Sequence, residues 1–329
     1  MSTELPDDPS PEALARNLVD LLDVEEIDTD LYRGKRLPGG VGRVFGGQVI
    51  AQALQAAQRS TGDSKVAHSL HAYFMRPGNE DFPIIFRVVR DFEGRSFANR
   101  RVIAMQRGKP ILNMAASFQT PEEGLHHQDP MPDVPPPESL RPERELHAEL
   151  ADRIPPDVLA PLLRRRSIEV RPIDQRSWLE DVSKPPGLDN WFKVVGPIGG
   201  DPAIHRAALA YATDISLLGT AMLPHAVNSI THKLQTASLD HALWMHEDFR
   251  ADDWLLYSCD SPWAGHARGF NRGAIYTRDG RLVASATQEG LMDTYRISQN
   301  TWYKLRDGHP IKRKTLDQVR ARYREIAGA

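Results

Sequence analysis

Three polar side chains stand out because each interrupts an apolar stretch. Asp214 sits in ATDISLL, Ser238 stands just ahead of LDHALWM, and Gln288 follows LVASAT. A carboxylate can act as a base, and a hydroxyl and an amide can hold water or substrate by hydrogen bonds. Each residue also has a plain structural reading: Asp214 as a cap near the start of a helix, Ser238 and Gln288 as strand ends. Their spacing alone does not choose between these. The motifs that are absent narrow the chemistry. There is no Gly-x-Ser-x-Gly, hence no nucleophile elbow, and neither a P-loop nor His-Glu-x-x-His occurs. Gly40-Val-Gly42-Arg-Val-Phe45 matches half of a dinucleotide fingerprint but lacks its third glycine and a long apolar strand before it. His126-His127 lies in a proline-rich stretch and reads as a solvated loop rather than a metal site. The single cysteine, Cys259, excludes an intrachain disulfide and any Cys-rich metal centre.

The elements that must position these residues come in two similar sets. Ser10-Pro11-Glu12 reads as a helix start, with Ser as N-cap and Pro at N1. Residues 30–37 read as a short strand. In GRVFGGQVIAQALQAAQRS, Val49, Ile50, Ala53, Leu54 and Ala57 form one helical face. Its small residues, Gly46 and Gly47 among them, permit close packing, so this helix is expected to be central. Four strand-like runs follow, with Arg107-Gly108 as a hairpin turn. The second half repeats the first. His71-Ala72 aligns with His241-Ala242 at an offset of 170, Phe97–Arg100 resembles Phe270–Arg272, and Arg107-Gly108 falls on Asp279-Gly280 at 172. Ala115–Gln119 sits near Ala284–Gln288, and the central helix finds a weaker counterpart in residues 213–225. Each half is thus one helix and about four antiparallel strands, an α+β arrangement that suits a sheet curled around a helix.

The 329 residues suggest about two domains. The expected division is 1–122, a first unit; 123–165, a proline-rich linker with a short helix near 141–153; 166–300, a second unit carrying Asp214, Ser238 and Gln288; and 301–329, a basic extension. In the extension, 316–327 reads as an amphipathic helix for packing or assembly. Apolar residues make up 40% and charged residues 26%, as in ordinary globular proteins. Lys plus Arg number 41 against 44 acidic residues, and a net charge of -3 argues against a dedicated nucleic-acid binder. No apolar window approaches the ~18 residues of a membrane span. The N-terminus, MSTELPDDPSPEAL, lacks the apolar run of a secretory signal. A cytoplasmic protein is expected.

Taken in order, GRVFGGQVIAQAL, HSLHAYFMRPG, GRSFANRRVIAMQRGKPILNMAASFQ, ATDISLL, SLDHALWMH, ARGFNRG and DGRLVASATQEGLM resemble the acyl-CoA thioesterase II family. The resemblance covers most of residues 30–292. It implies a double hot-dog fold, two tandem units in which a long antiparallel sheet wraps a helix. It also implies hydrolysis of acyl-CoA to fatty acid and CoA, with no metal or cofactor. The family's site of an Asp, a Thr or Ser, and a Gln falls on Asp214, Ser238 and Gln288. Here the hydroxyl is serine, whose rotamer is less restrained than threonine's, and Asp293 stands where an arginine usually follows the last block. In the first half Gln48, His68 and Gln119 align with the three, so one competent site per chain is expected. Gly46 and Gly47 would let backbone approach the ligand. Arg268 and Arg272, with Arg95, Arg100 and Arg101, are candidates for the CoA phosphates. A homo-oligomer, dimer or tetramer, is expected. Two rivals are an enoyl-CoA hydratase, disfavoured because no His follows Asp214 until His225, and an acyl-CoA-sensing protein without turnover, disfavoured because the polar triad is intact.

Overall fold

The structure, a computed structural model, describes residues 8–37, 42–62, 64–153, 156–175, 182–227 and 234–293. The basic extension expected at 301–329 lies outside these residues. Helix α1 (Pro11–Leu22) begins as its sequence predicts: the Ala13 N–H donates to Ser10 Oγ at 3.2 Å, and Pro11 opens the first turn. Strands β1 (Val24–Asp28) and β2 (Leu31–Gly34) form a hairpin ahead of α2 (Gly46–Arg59). Then come β3 (Val66–Phe74), β4 (Ile84–Glu93), β5 (Phe97–Gln106) and β6 (Lys109–Gln119). Helices α3 (Glu143–Ala148) and α4 (Pro156–Leu163) occupy the middle of the chain. The second half runs β7 (Ile168–Pro172), β8 (Gly187–Val194), α5 (Pro202–Thr213), β9 (Gln235–Ser238), β10 (Asp240–Met245), β11 (Leu255–Gly265), β12 (Arg268–Thr277) and β13 (Leu282–Asp293).

Among the described residues all strands belong to one sheet, in the order β1-β2-β4-β5-β6-β3-β10-β13-β12-β11-β8-β7, with β9 paired to β13. The order is a palindrome, so the halves are two similar sheets joined edge to edge through β3 and β10. At that seam Leu70 faces Leu243 and Ala72 faces His241. Both central helices lie inside the curl. From Gly47 to Ala57 every residue of α2 is buried, and the small side chains of Ala51, Ala53, Ala56 and Ala57 let it pack closely beside α5. Gln48 and Gln52 tie this helix to the loop after β2 through the Lys35 carbonyl, at 3.3 and 2.9 Å.

Two expectations need correction. The second central helix is not 213–225 but α5, which starts eleven residues upstream. Its start signal is Asp201, whose carboxylate accepts from the Ala203 N–H, followed by Pro202. Residues Leu217–His225 form a 3-10 segment instead. Together Pro202–His225 have the length and mean hydropathy, 1.2, of a membrane span, yet half of that window is buried inside this protein and the α-helix ends at Thr213. The proline-rich stretch is also more than a tether. Met131, Val134 and Leu140 pack on a cluster of Trp191, Trp254, Leu256 and Tyr276, and Trp191 Nε1 donates to the Pro135 carbonyl at 2.9 Å. The strap thus covers apolar surface on the second half that would otherwise face water.

Because one sheet carries both halves, they are expected to unfold together. Urea unfolding followed by far-UV circular dichroism and by tryptophan fluorescence should give coincident transitions. Leu243→Ala at the fully buried seam should lower stability by about 2–5 kcal/mol.

Candidate active site

The structure brings Asp214, Ser238 and Gln288 together. Asp214 is the C-cap of α5 rather than the start of a helix. Ser238 Oγ donates to Asp214 Oδ1 at 3.0 Å, and Gln288 Nε2 donates to the same oxygen at 2.6 Å. The Gly47 N–H donates to the carboxylate as well. That amide belongs to the first turn of α2, whose N-cap Phe45 supplies no side-chain cap. The C-terminal end of one central helix therefore places a carboxylate against the N-terminal end of the other. There the exposed N–H groups and the helix dipole favour negative charge. The glycines are required for the approach. A Cβ on Gly46 would lie 2.6 Å from Asp214 Oδ2, and one on Gly47 would lie 2.5 Å from the Tyr211 carbonyl oxygen.

Burial and hydrogen bonding oppose each other at this carboxylate. Burial raises the Asp214 pKa, while donation from Gln288, Ser238 and Gly47 and the nearby Arg43 lower it; burial prevails, and the value reaches about 6. Ser238 reaches the site because the chain breaks register at Leu239, between β9 and β10. Ser238 pairs with Gly290 whereas Ala242 pairs with Thr287. Asp240 Oδ1 fixes the break by accepting the Glu289 N–H at 2.6 Å. Ser238 and His241, three residues apart, consequently both point inward.

A cavity of about 1080 Å³ opens beside Asp214. Asp214 and Ser238 line it; Gln288, 1% exposed, does not, and reaches the site only through the carboxylate. The apolar part of the wall comes from three parts of the chain: Phe74 and Ile111 from the first half, Leu146 and Leu150 from the α3 region, and Leu188 and Met222 from the second half. The phosphate candidates fare differently. Arg272 lies outside the lining residues, and its Nε donates to Asp260 Oδ1 at 2.9 Å. Arg268 also lies outside them, 3.5 Å from Glu289 and over the Trp263 ring. Arg100 is fully buried and cannot meet a ligand. Arg43 and Arg76, which the sequence reading did not single out, are the exposed cations on the first-half side of the cavity. Among the described residues, no group of three or more His, Cys, Asp or Glu could hold a metal ion.

The first half lacks this constellation, though not through the residues aligned by sequence. Gln48 lies in the first turn of α2, His68 bonds Ser117 at 2.9 Å, and Gln119 ends its strand opposite Val66. The offset of 170 also puts His71 opposite His241 in role, yet His71 is exposed and stacks edge-on against Trp244, while His241 is buried. A one-residue slip in a strand exchanges its faces. Matching inward faces instead gives Ser60, the C-cap of α2, for Asp214; Ala67 for Ser238; Leu70 for His241; Ala116 for Gln288; and Arg100 for Asn271. Arg100 pairs with Ala116 as Asn271 pairs with Gln288. Its guanidinium fills the space, donating to Ser60 Oγ at 2.9 Å and to Glu93. Where the second half keeps a carboxylate open to a cavity, the first half is closed by a cation.

The sequence reading missed His241, Thr213 and Asn271. Gln288 Nε2 lies 3.2 Å from His241 Nδ1, and His241 Nε2 lies 3.0 Å from Thr213 Oγ1. Asn271 Nδ2 donates to the Gln288 carbonyl at 3.3 Å. The available signals were one polar residue at an inward strand position in each segment, His241 in Asp-His-Ala-Leu and Asn271 in Phe-Asn-Arg, visible only once the facing is known.

Known proteins resemble this chain over both halves. The family model described as acyl-CoA thioesterase matches residues 183–291, and the one described as acyl-CoA thioesterase N-terminal domain matches residues 36–119. Acyl-coenzyme A thioesterase 8 of Homo sapiens is 39% identical over 280 residues, which cover 83% of this chain and 87% of that protein. The crystal structure of an acyl-CoA thioesterase II from Mycobacterium marinum superposes with a TM-score of 0.69 at 39% identity, covering 84% of this chain and 98% of the other. A conserved protein with a hot dog fold from Alicyclobacillus acidocaldarius, 21% identical, has a TM-score of 0.68 over 84% of this chain and 97% of its own, and shows the fold alone.

With 13C-labelled aspartate carboxyls, one resonance is expected to titrate with a midpoint of about 6 and to be lost in Asp214→Asn. If every aspartate titrated near ~4, the carboxylate would not be desolvated.

Proposed function

The chain belongs to the acyl-CoA thioesterase family, and on that premise we propose that it hydrolyses acyl-CoA to a free fatty acid and CoA at Asp214. The observation that carries this reading is one carboxylate oxygen that accepts from both Ser238 and Gln288, beside an apolar cavity and at the N-terminus of α2.

A thioester needs little help to leave, since a thiol near pKa ~8.5 departs as thiolate. What must be supplied is an oriented water and a place for negative charge. Asp214 takes a proton from the water as general base. Its raised pKa makes it a stronger base than an ordinary aspartate while leaving it ionised above about pH 6. Ser238 donates its hydroxyl hydrogen bond to Asp214, so its oxygen lone pairs are left as acceptors for the water's second hydrogen. Gln288 holds the carboxylate from behind. The water oxygen bonds to the thioester carbon, and the carbonyl becomes an oxyanion. The first-turn amides of α2 other than that of Gly47, which serves Asp214, are the donors this reading assigns to it. Collapse breaks the C–S bond, and the proton held by Asp214 goes to the departing thiolate. The apolar wall takes the acyl chain, and Arg43 and Arg76 meet CoA phosphate at the rim. No step calls for a cofactor. Exposed Tyr73 on the seam strand and Met75 just past its end support assembly into a homo-oligomer. A hydratase would need a histidine paired with Asp214 and facing the substrate; His241, linked to Asp214 through Gln288, does not line the cavity, and His147, which does, comes from α3.

Thiol release from acyl-CoAs of increasing chain length tests the reading. Asp214→Asn should lower kcat by about 10²–10⁴. For wild type, kcat/KM should be constant at high pH and fall as pH drops through about 6, because protonated Asp214 cannot accept the water's proton. An Asp214→Asn variant that turns over normally would remove the general base. Tight acyl-CoA binding without turnover in wild type would favour a sensing protein.

A further inference from the structure

Behind the proposed base lies a chain of buried side chains with an unambiguous direction. Gln288 Nε2 is 2.6 Å from Asp214 Oδ1 and 3.2 Å from His241 Nδ1. An amide nitrogen only donates, so both neighbours accept. Nδ1 of His241 therefore carries no proton, and the imidazole proton sits on Nε2. From there it is donated to Thr213 Oγ1 at 3.0 Å, and Thr213 passes its own hydrogen to the Ala210 carbonyl at 3.3 Å. The chain starts at a helix carbonyl, which can only accept, and that fixes every donor and acceptor up to the carboxylate. His241 is fully buried, and burial pushes its pKa down to about 4, so it stays neutral and Nδ1 stays an acceptor throughout the working range.

We propose that His241, held by Thr213, is a positioning residue that locks the Gln288 amide with its NH2 group toward Asp214. The lock matters because an amide is nearly symmetric in shape and opposite in its two ends. Against an ionised Asp214 the NH2 end is preferred, but against a protonated Asp214 a turned amide would accept the carboxyl proton. A free amide would thus follow the protonation of Asp214 and favour its acidic form. With Nδ1 demanding a donor, turning costs the His241 bond and sets oxygen against nitrogen lone pair, so the amide supports the ionised base. The titratable and charged groups bearing on Asp214 besides His241 are Arg43, ahead of α2, and Tyr257 on β11. Neither bonds to the amide, whereas His241 does. The first half has no such chain: Leu70 and Ala116 stand at the matching positions, beside Arg100 instead of a base.

This inference rests on the reading of Asp214 as base, and the test separates the two. Thiol release is measured across pH for wild type, Thr213→Val, His241→Leu, His241→Asn, Gln288→Leu and the double variant His241→Leu/Gln288→Leu. Thr213→Val keeps shape and packing while removing the acceptor for Nε2. His241→Asn keeps an acceptor near the Nδ1 position. A single hydrogen bond supports a shift of up to about one pH unit. The expected result is that His241→Leu and Thr213→Val move the lower kinetic midpoint to higher pH, with kcat reduced about fivefold near pH 6 and much less near pH 8, and KM unchanged. His241→Asn should recover most of the loss, and in the Gln288→Leu background His241→Leu should change nothing further. An unmoved midpoint would overturn the proposal. So would an equal loss from His241→Leu with and without Gln288, since that marks a packing role. If Asp214→Asn itself left turnover intact, the general base would fall, a result separate from any of these.

Discussion

The structure turns on one desolvated negative charge held between two helix ends. Asp214 ends α5, and the first turn of α2 receives it through the Gly47 amide. Removing a carboxylate from water is costly unless donors replace the solvent. Here the replacements come from three separate elements: an amide of α2, the hydroxyl at the end of β9, and the amide on β13. Glycine at 46 and 47 is what lets the helix end come close enough, because either side chain would collide. The outcome is a carboxylate that binds a proton more tightly than a surface aspartate yet is still ionised near neutrality.

This constraint explains why two similar halves are joined in one chain. The carboxylate comes from the second half and its helix-end support from the first, so neither half holds a complete site. The seam between β3 and β10 keeps the two helices in register, and the sheet runs unbroken across it. The matching position in the first half has been used for closure. Arg100, wholly buried and bonded to Ser60 and Glu93, occupies the room that Gln288 and the cavity take on the other side. A buried cation with satisfied donors holds that end shut.

The cavity draws its wall from both halves and from the α3 region between them. That middle stretch is rich in proline, which suits an extended strap with few backbone donors to satisfy. It covers the aromatic cluster of the second half and supplies apolar residues near the site. Ligand shape is thereby set partly by a segment outside the repeated elements.

Periodicity and small residues marked α2 as a central helix, and the repeated turns at Arg107-Gly108 and Asp279-Gly280 marked the antiparallel hairpins; both rest on local backbone preference and were legible. Asp214, Ser238 and Gln288 were legible as polar groups in apolar stretches, and the order of motifs named their family. Facing was not legible. The His-Ala match at an offset of 170 is right in composition and wrong by one residue in the sheet, because strand alternation is set by which face is buried and not by identity. The helix ending at Asp214 was misplaced for a related reason: its start signal, Asp201-Pro202, lies outside the repeated segment. The contacts that make the site belong wholly to tertiary structure. Gly47, Thr213, His241 and Asn271 acquire meaning only when residues distant in sequence meet, since the direction of each hydrogen bond depends on its partner.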